Sequence, residues 1–256
     1  MSRWTGSGSR RRAASVGIAM LILAGCGSAG PSVAAGTAPA SPSAAPTTAP
    51  SATAGVLASP SPSRIVTRAA LKVVRRLTLD LTAAQTAGEI GSTDFRAYEP
   101  LLVILRLSLD DGSISLSEVN YAALGKQVTA DAAKLQGVHG QAVVADYDLL
   151  GSVLAAKPFV AGPLSAGSWF TTSFQPTLVV TVPTGWTAAP ETEATIHLSK
   201  LGATLEIGTA AGPSASGTIS VDLDGTTVFL TAGGPAAAMT SLGPEIQAIA
   251  ASLVRS

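Results

Sequence analysis

Ile219-Ser220-Val221-Asp222-Leu223-Asp224-Gly225-Thr226-Thr227-Val228-Phe229-Leu230 is the stretch that decides the fold. An Asp-Gly pair between two alternating apolar runs is a strong signal for a two-residue hairpin turn, because both turn positions need φ > 0. A turn centred there pairs Ile219 with Leu230 and Val221 with Val228, setting an apolar stripe on one face of an antiparallel ladder. That stripe needs a cover, and the residues from Pro235 to Val254 predict a helix that can supply it. Upstream the period of two continues. Leu178, Val180 and Val182 alternate before Pro183-Thr184-Gly185-Trp186, and Ile196 and Leu198 precede a Leu201-Gly202 turn, with Leu205 and Ile207 beyond it. Residues 166–256 therefore predict a small antiparallel β-sheet domain closed by a C-terminal helix, large enough to fold alone.

Before the break from Pro158 to Gly167 the period is helical. Val66, Ala70, Val73, Val74, Leu77, Leu81 and Ala84 recur by threes and fours from Arg64 onward. A second helix is expected over Phe95–Leu107, with Pro100 early in it or starting its main run. A third is expected after a capping box of Ser115 and Glu118, running to about Leu135, and a fourth over Gln141–Ala156 after Gly137-Val138-His139-Gly140. The fold class expected is α+β, an N-terminal helical bundle over residues 64–157 followed by the β domain.

The first 25 residues have the three regions of an export signal: Arg3, Arg10, Arg11 and Arg12, then an uncharged apolar stretch from Ala13 to Gly25. That stretch falls short of the roughly 20 apolar residues needed to span a bilayer. Its end, Leu23-Ala24-Gly25-Cys26, resembles the lipobox of bacterial lipoproteins. The resemblance implies cleavage before Cys26, a diacylglyceryl group on its thiol, acyl chains such as palmitate, and residence on the extracytoplasmic face of the cell membrane. Cys26 is the one cysteine in the chain, so it has no internal disulfide partner. Ser9-Arg10-Arg11-Arg12 has the arginines of a twin-arginine signal, but Ala13 and Ala14 stand where bulky apolar residues belong, which favours the general secretory route.

Residues 27–63 hold seven prolines among Ala, Ser, Thr and Gly and carry no charge, so residues 26–63 are expected to form a lipidated, disordered tether. Such a run averages about 35 Å end to end as a coil and reaches about 115 Å as polyproline II. The Ala, Gly and Pro bias resembles that of actinobacterial proteins. Phe174-x-Pro176-x-Leu178-x-Val180-Thr181-Val182-Pro183-x-Gly185-Trp186, with Ile246, Ile249, Ser252 and Leu253 downstream, resembles the small PsbP-like domains of secreted lipoproteins. That resemblance implies an antiparallel sheet with helix cover and no catalytic residues to carry across.

Without the leader the chain carries twelve basic and 16 acidic side chains, a net −4, which argues against nucleic acid as a partner. Arg64, Arg68, Lys72, Arg75 and Arg76 form an acid-free basic run on a flank of the first helix, whereas from Leu77 onward seven basic face 16 acidic residues. Such a helix after a lipid tether is a candidate membrane-surface contact. It equally serves as a solvated face, or as a stripe answering the protein's own acids.

Catalytic signatures are sparse. His197 is expected opposite Glu206 in the Leu201-Gly202 hairpin, as a solvated cross-strand pair. Glu193, about 13 Å further along that strand, cannot ligate the same ion. His139 is expected exposed or at a helix end. Asp110-Asp111-Gly112-Ser113-Ile114-Ser115 with Glu118 resembles an EF-hand loop, but that register puts Leu107 and Leu109 at two ligand positions, so a turn and helix cap is expected in place of calcium. Trp169, Phe170, Phe174 and Trp186 are expected in the core rather than around a ligand. No nucleophile elbow, Walker loop or zinc motif is present, and no cofactor or metal is expected. The expected function is a non-enzymatic, lipid-anchored envelope protein that binds an envelope protein, wall polymer or apolar ligand. A carboxylate-dependent enzyme and a structural spacer are the alternatives.

Overall fold

The computed structural model describes residues 61–210 and 217–256. The leader, the lipobox, Cys26 and nearly all of the expected tether lie outside the described residues. The architecture is α+β. Four helices come first: α1 (Pro62–Thr86), α2 (Ser92–Asp110), α3 (Ile114–Ala130) and α4 (Val138–Leu154). Strands β1 (Lys157–Pro158), β2 (Gly162–Pro163), β3 (Gly167–Phe170), β4 (Leu178–Val182), β5 (Thr187–Ala188), β6 (Thr195–Lys200), β7 (Ala203–Gly208), β8 (Gly217–Asp222) and β9 (Thr227–Gly233) follow. Helix α5 (Ala236–Ala251) and strand β10 (Val254–Arg255) end the chain.

Helix boundaries differ from the sequence expectation where side chains supply caps that periodicity does not reveal. The Asp94 carboxylate accepts the Gly91 N–H at 3.2 Å, which starts α2 at Ser92 and leaves Pro100 in its interior. The cap of α3 is Ser113 and not Ser115: its hydroxyl accepts the Leu116 N–H at 3.4 Å. Helix α3 ends at Ala130, short of Leu135, where Asp131 is held by Gln127 and Lys134 at 2.6 and 2.8 Å. Helix α4 begins at Val138, ahead of Gln141, because Glu89 from the α1–α2 loop caps it across space. Its carboxylate accepts the His139 and Gly140 N–H groups at 3.3 and 2.7 Å. Such a carboxylate answers both the orphan donors and the positive end of the helix dipole.

The strands form two sheets where one was expected, ordered β1-β3-β4-β10 and β2-β5-β6-β7-β9-β8. All pairings are antiparallel except β1 with β3. Both expected hairpins are present in the expected register. Ile219 faces Leu230 and Val221 faces Val228 across β8–β9. Leu201 and Gly202 (φ 52° and 77°) and Asp224 and Gly225 (φ 55° and 78°) turn the chain in the left-handed region that two-residue hairpins require. The last helix stops at Ala251, short of Val254. The Ser252 hydroxyl takes the Thr181 N–H at 2.9 Å, and Val254 then pairs with Val179 as an edge strand.

The described residues make one compact unit holding two apolar cores. The first lies among the helices around Leu77, Leu81, Leu105, Leu124 and Leu150, and takes in Phe170, Val179 and Val254 from the first sheet. The second joins Phe174, Leu178, Val180, Trp186, Leu205 and Leu230 to Leu242, Ile246 and Ile249 of α5. Strand β4 therefore buries both faces, Val179 toward the helices and Leu178, Val180 and Val182 toward the second core. Lys200 pins α5 to the second sheet through the Glu245 carboxylate at 2.8 Å, with the Trp186 indole N–H on the same carboxylate at 2.8 Å. The Lys200 hydrogen bond first, and that of Trp186 as well, hold the Glu245 carboxyl below its usual range against the opposing push of burial.

Candidate functional site

The open space that unites the helices with the first sheet is a cleft walled by α4 on one side and by β3, β4 and the chain before β3 on the other. Its two lobes, about 450 and 480 Å³, share Asp148, Ser152, Ala166 and Gly167. Helix α4 contributes Asp148, Gly151 and Ser152, while Ser165, Ala166, Gly167 and Ser168 form the opposite wall. Tyr121 from α3, Lys157 from β1 and Trp169 from β3 close one end, and Arg76, Ala251 and Ser252 the other. Small side chains keep the floor open.

Tyr121 is placed by a reciprocal lock. Tyr121 and Gly125 on α3, and Tyr147 and Gly151 on α4, each stand four residues apart and so share a helix face. The two rings stack at 4.5 Å with 8° between their planes. Each phenol lies where the other helix has no side chain: a Cβ on Gly151 would fall 2.3 Å from the Tyr121 hydroxyl, and one on Gly125 2.1 Å from that of Tyr147. Burial first, then the hydrogen bond with Tyr147, raises the Tyr121 phenol, so it stays a neutral hydroxyl at the rim of the cleft. Sequence reasoning missed this lock, although Tyr-x-x-x-Gly occurs in both helices.

Four charged or hydroxyl side chains in the cleft stay uncommitted, and the buried Trp169 indole N–H there has no acceptor among the described residues. Asp148, Ser152, Lys157 and Ser165 make no hydrogen bond or ion pair with other described residues, whereas Ser168 is spent on Thr181 at 2.7 Å. Carboxylate, ammonium and hydroxyls together offer both donors and acceptors. Comparison of the chain with protein-family models, with characterised proteins and with solved structures finds no match.

The other sequence candidates lie apart from the cleft, with the exceptions of Trp169 at one end and Arg76 at the other. Lys72 pairs with Asp224 of the hairpin turn at 2.7 Å, which holds the Asp224 carboxyl below its usual range. Arg76 donates its Nε to Asp146 at 2.6 Å, with a second close contact from Nη2. Arg64, Arg68 and Arg75 are exposed and form no ion pair with described residues. His197 stands opposite Glu206, with Nδ1 to Oε2 3.7 Å. His139 lies in the first turn of α4, and the Asp110–Ser115 segment is a turn with Gly112 at φ 75° followed by the Ser113 cap. Trp169, Phe170, Phe174 and Trp186 are all buried, Phe170 in the first core and the other three in the second. No group of three or more His, Cys, Asp or Glu converges as a metal site among the described residues, and no helix there is long and apolar enough to cross a membrane.

Two further features were not foreseen. One is a groove of about 520 Å³ between α1 and α2, with Leu79, Val103 and Leu102 along it and Arg75 and Arg106 at its rim. The other is a carboxyl pair on α1 and α4: Asp80 faces Asp146, whose Oδ2 is buried with no hydrogen-bond partner among the described residues. Burial first, then the facing Asp146, raises the Asp80 carboxyl above its usual range.

Proposed function

We propose that this protein is a non-enzymatic binding protein of the cell envelope, anchored by lipid on Cys26 to the outer face of the membrane, which takes a hydroxylated wall polymer into the cleft along α4. The observation that carries the reading is the set of uncommitted Asp148, Ser152, Lys157 and Ser165 around a small-residue floor beside Tyr121. A saccharide chain presents hydroxyls that give and take hydrogen bonds, together with apolar ring faces that rest on aromatic rims. A cleft open along its length accepts a polymer threaded past it, whereas small apolar ligands are held in enclosed, mostly apolar cavities.

The test is co-sedimentation of the chain over residues 27–256 with insoluble wall polymer, comparing wild type with Ser152→Trp, which fills the cleft, and Asp148→Ala. Loss of binding in both variants, with melting temperature retained, supports the reading. Binding unchanged in both, or no binding by wild type, refutes it. The anchor is tested separately: Cys26→Ser should abolish palmitate incorporation and release the protein from the membrane fraction.

A further inference from the structure

Six of the exposed large aliphatic side chains lie on the first three helices: Leu79 on α1, Val103, Ile104 and Leu107 on α2, and Leu116 and Val119 on α3. Leu79 is 69% and Leu107 58% exposed, unusual for leucines on helices whose inner faces already fill a core. Val103 and Leu79 flank the α1–α2 groove; Ile104, Leu107 and Leu116 line the next one. Basic side chains frame the same face. Arg68 and Arg75 are seven residues apart on α1, so they lie almost above one another, with Leu79 a turn beyond Arg75. Arg106 lines the same groove as Arg75 from α2, 4.0 Å from Asp110 a turn further on and with Glu99 in the same groove, and both charges of that pair are more than half exposed.

The ion pairs sort the basic run. Lys72 and Arg76 are turned to Asp224 and Asp146, while Arg64, Arg68 and Arg75 form no ion pair with described residues, and Arg75 lines the groove that holds Leu79 and Val103. Arg68 and Arg75 thus stand exposed and without an ion pair on the helix that also exposes Leu79, ahead of a stretch from Leu77 onward that is acidic on balance. We infer that the outer faces of α1 and α2 form a membrane-docking surface, with Leu79, Val103 and Leu107 entering the headgroup boundary of an anionic leaflet and Arg68, Arg75 and Arg106 on its phosphates. Arginines flanking exposed aliphatic side chains are the composition of interfacial helices.

The path of the chain favours the same occupant. Thirty-four residues separate Cys26 from Ser61, where the chain enters α1, the helix that carries the free arginines. A lipid on Cys26 keeps the face at high local concentration next to the bilayer, so even weak docking is populated. To this extent the inference rests on the anchor reading of the preceding section, and it assigns α1 and α2 to the membrane while leaving the α4 cleft open.

The experiment uses the unlipidated chain over residues 27–256, which contains the whole compact unit, with vesicles of phosphatidylglycerol or of phosphatidylcholine. Leu79→Trp serves as reporter, since Trp169 and Trp186 are buried. The expected result is a blue shift of the reporter and co-sedimentation with the anionic vesicles alone, weakened by salt. Arg68→Ala with Arg75→Ala should lower the affinity about 30-fold, at roughly five-fold per basic residue. Leu107→Asp should reduce it as well, with circular dichroism and melting temperature unchanged, while Lys126→Ala leaves it intact. Equal binding to both lipids, no binding, or concentration-dependent dimerisation that buries the reporter in the absence of lipid would overturn the inference. Because this chain lacks Cys26, the vesicle result is independent of palmitate labelling in cells, and the two readings fail separately.

Discussion

Arg76 offers the sharpest test of the structure, since it belongs to the basic run yet is committed to the interior. Its guanidinium bonds Asp146 on α4, a residue only 3% exposed, through Nε at 2.6 Å and through Nη2. Arg76→Ala would leave the Asp146 carboxylate buried, with Oδ2 already lacking an N–H and Asp80 alongside. Removing one partner of a buried pair costs about 3–5 kcal/mol. The Arg76 side chain is half exposed, so water reaches part of the gap, and we expect about 2–3 kcal/mol. For a unit of this length that lowers the melting temperature by roughly 5–10 °C. Urea unfolding followed by far-ultraviolet circular dichroism measures it, with Asp146→Asn and the double variant completing a cycle. We expect a coupling of about 1.5–3 kcal/mol. Arg68→Ala, at an exposed residue with no ion pair, is the control and should stay within about 0.5 kcal/mol. An equally small effect of Arg76→Ala, or strict additivity in the cycle, would refute the buried pair and return Arg76 to the solvated face.

Two further outcomes follow from the charges. The folded state binds the Asp80 proton more tightly than the unfolded state does, so this contribution is complete below the ordinary carboxylate value of 3.8 and fades as pH rises through the raised folded value. Asp80→Asn should therefore raise the melting temperature at pH 7 and flatten its fall above pH 4, and unchanged melting profiles would contradict it. Glu245 behaves in the opposite sense. Its lowered carboxyl contributes stability above the ordinary value of 4.5 that is lost as pH falls through the folded value. Glu245→Gln should cost about 1–3 kcal/mol at pH 7 and make acid unfolding less steep, and a Glu245→Gln protein with wild-type acid sensitivity would exclude the Lys200–Glu245 pin as its source.

Local patterns carried the fold class and the hairpins. Asp224-Gly225 and Leu201-Gly202 fix their register because a two-residue turn admits one pairing, and the alternation on either side agrees with it. Helix ends were less legible, because Glu89 and Ser113 act as caps through contacts that periodicity does not encode. The cleft was invisible for the same reason. Its polar groups come from α4, β1 and the segment before β3, and nothing local distinguishes Asp148 or Ser152 from other exposed polar residues. The Tyr-x-x-x-Gly repeat was a readable signal, but its meaning depends on α3 meeting α4.

The sequence by itself determined that helices precede strands, where the two tight turns lie, and that Arg64, Arg68, Lys72, Arg75 and Arg76 share one flank of a helix. These are consequences of residue period and of the φ angles that turns demand. Tertiary structure alone decided that Val179 joins the helical core while its neighbours Leu178 and Val180 join the other. It alone committed Lys72 and Arg76 to Asp224 and Asp146 while leaving Arg75 in the groove with Leu79. The reason is physical: a charge or an apolar face acquires its role from what lies across from it, and those partners are 70 residues away for Arg76 and more than twice as far for Lys72.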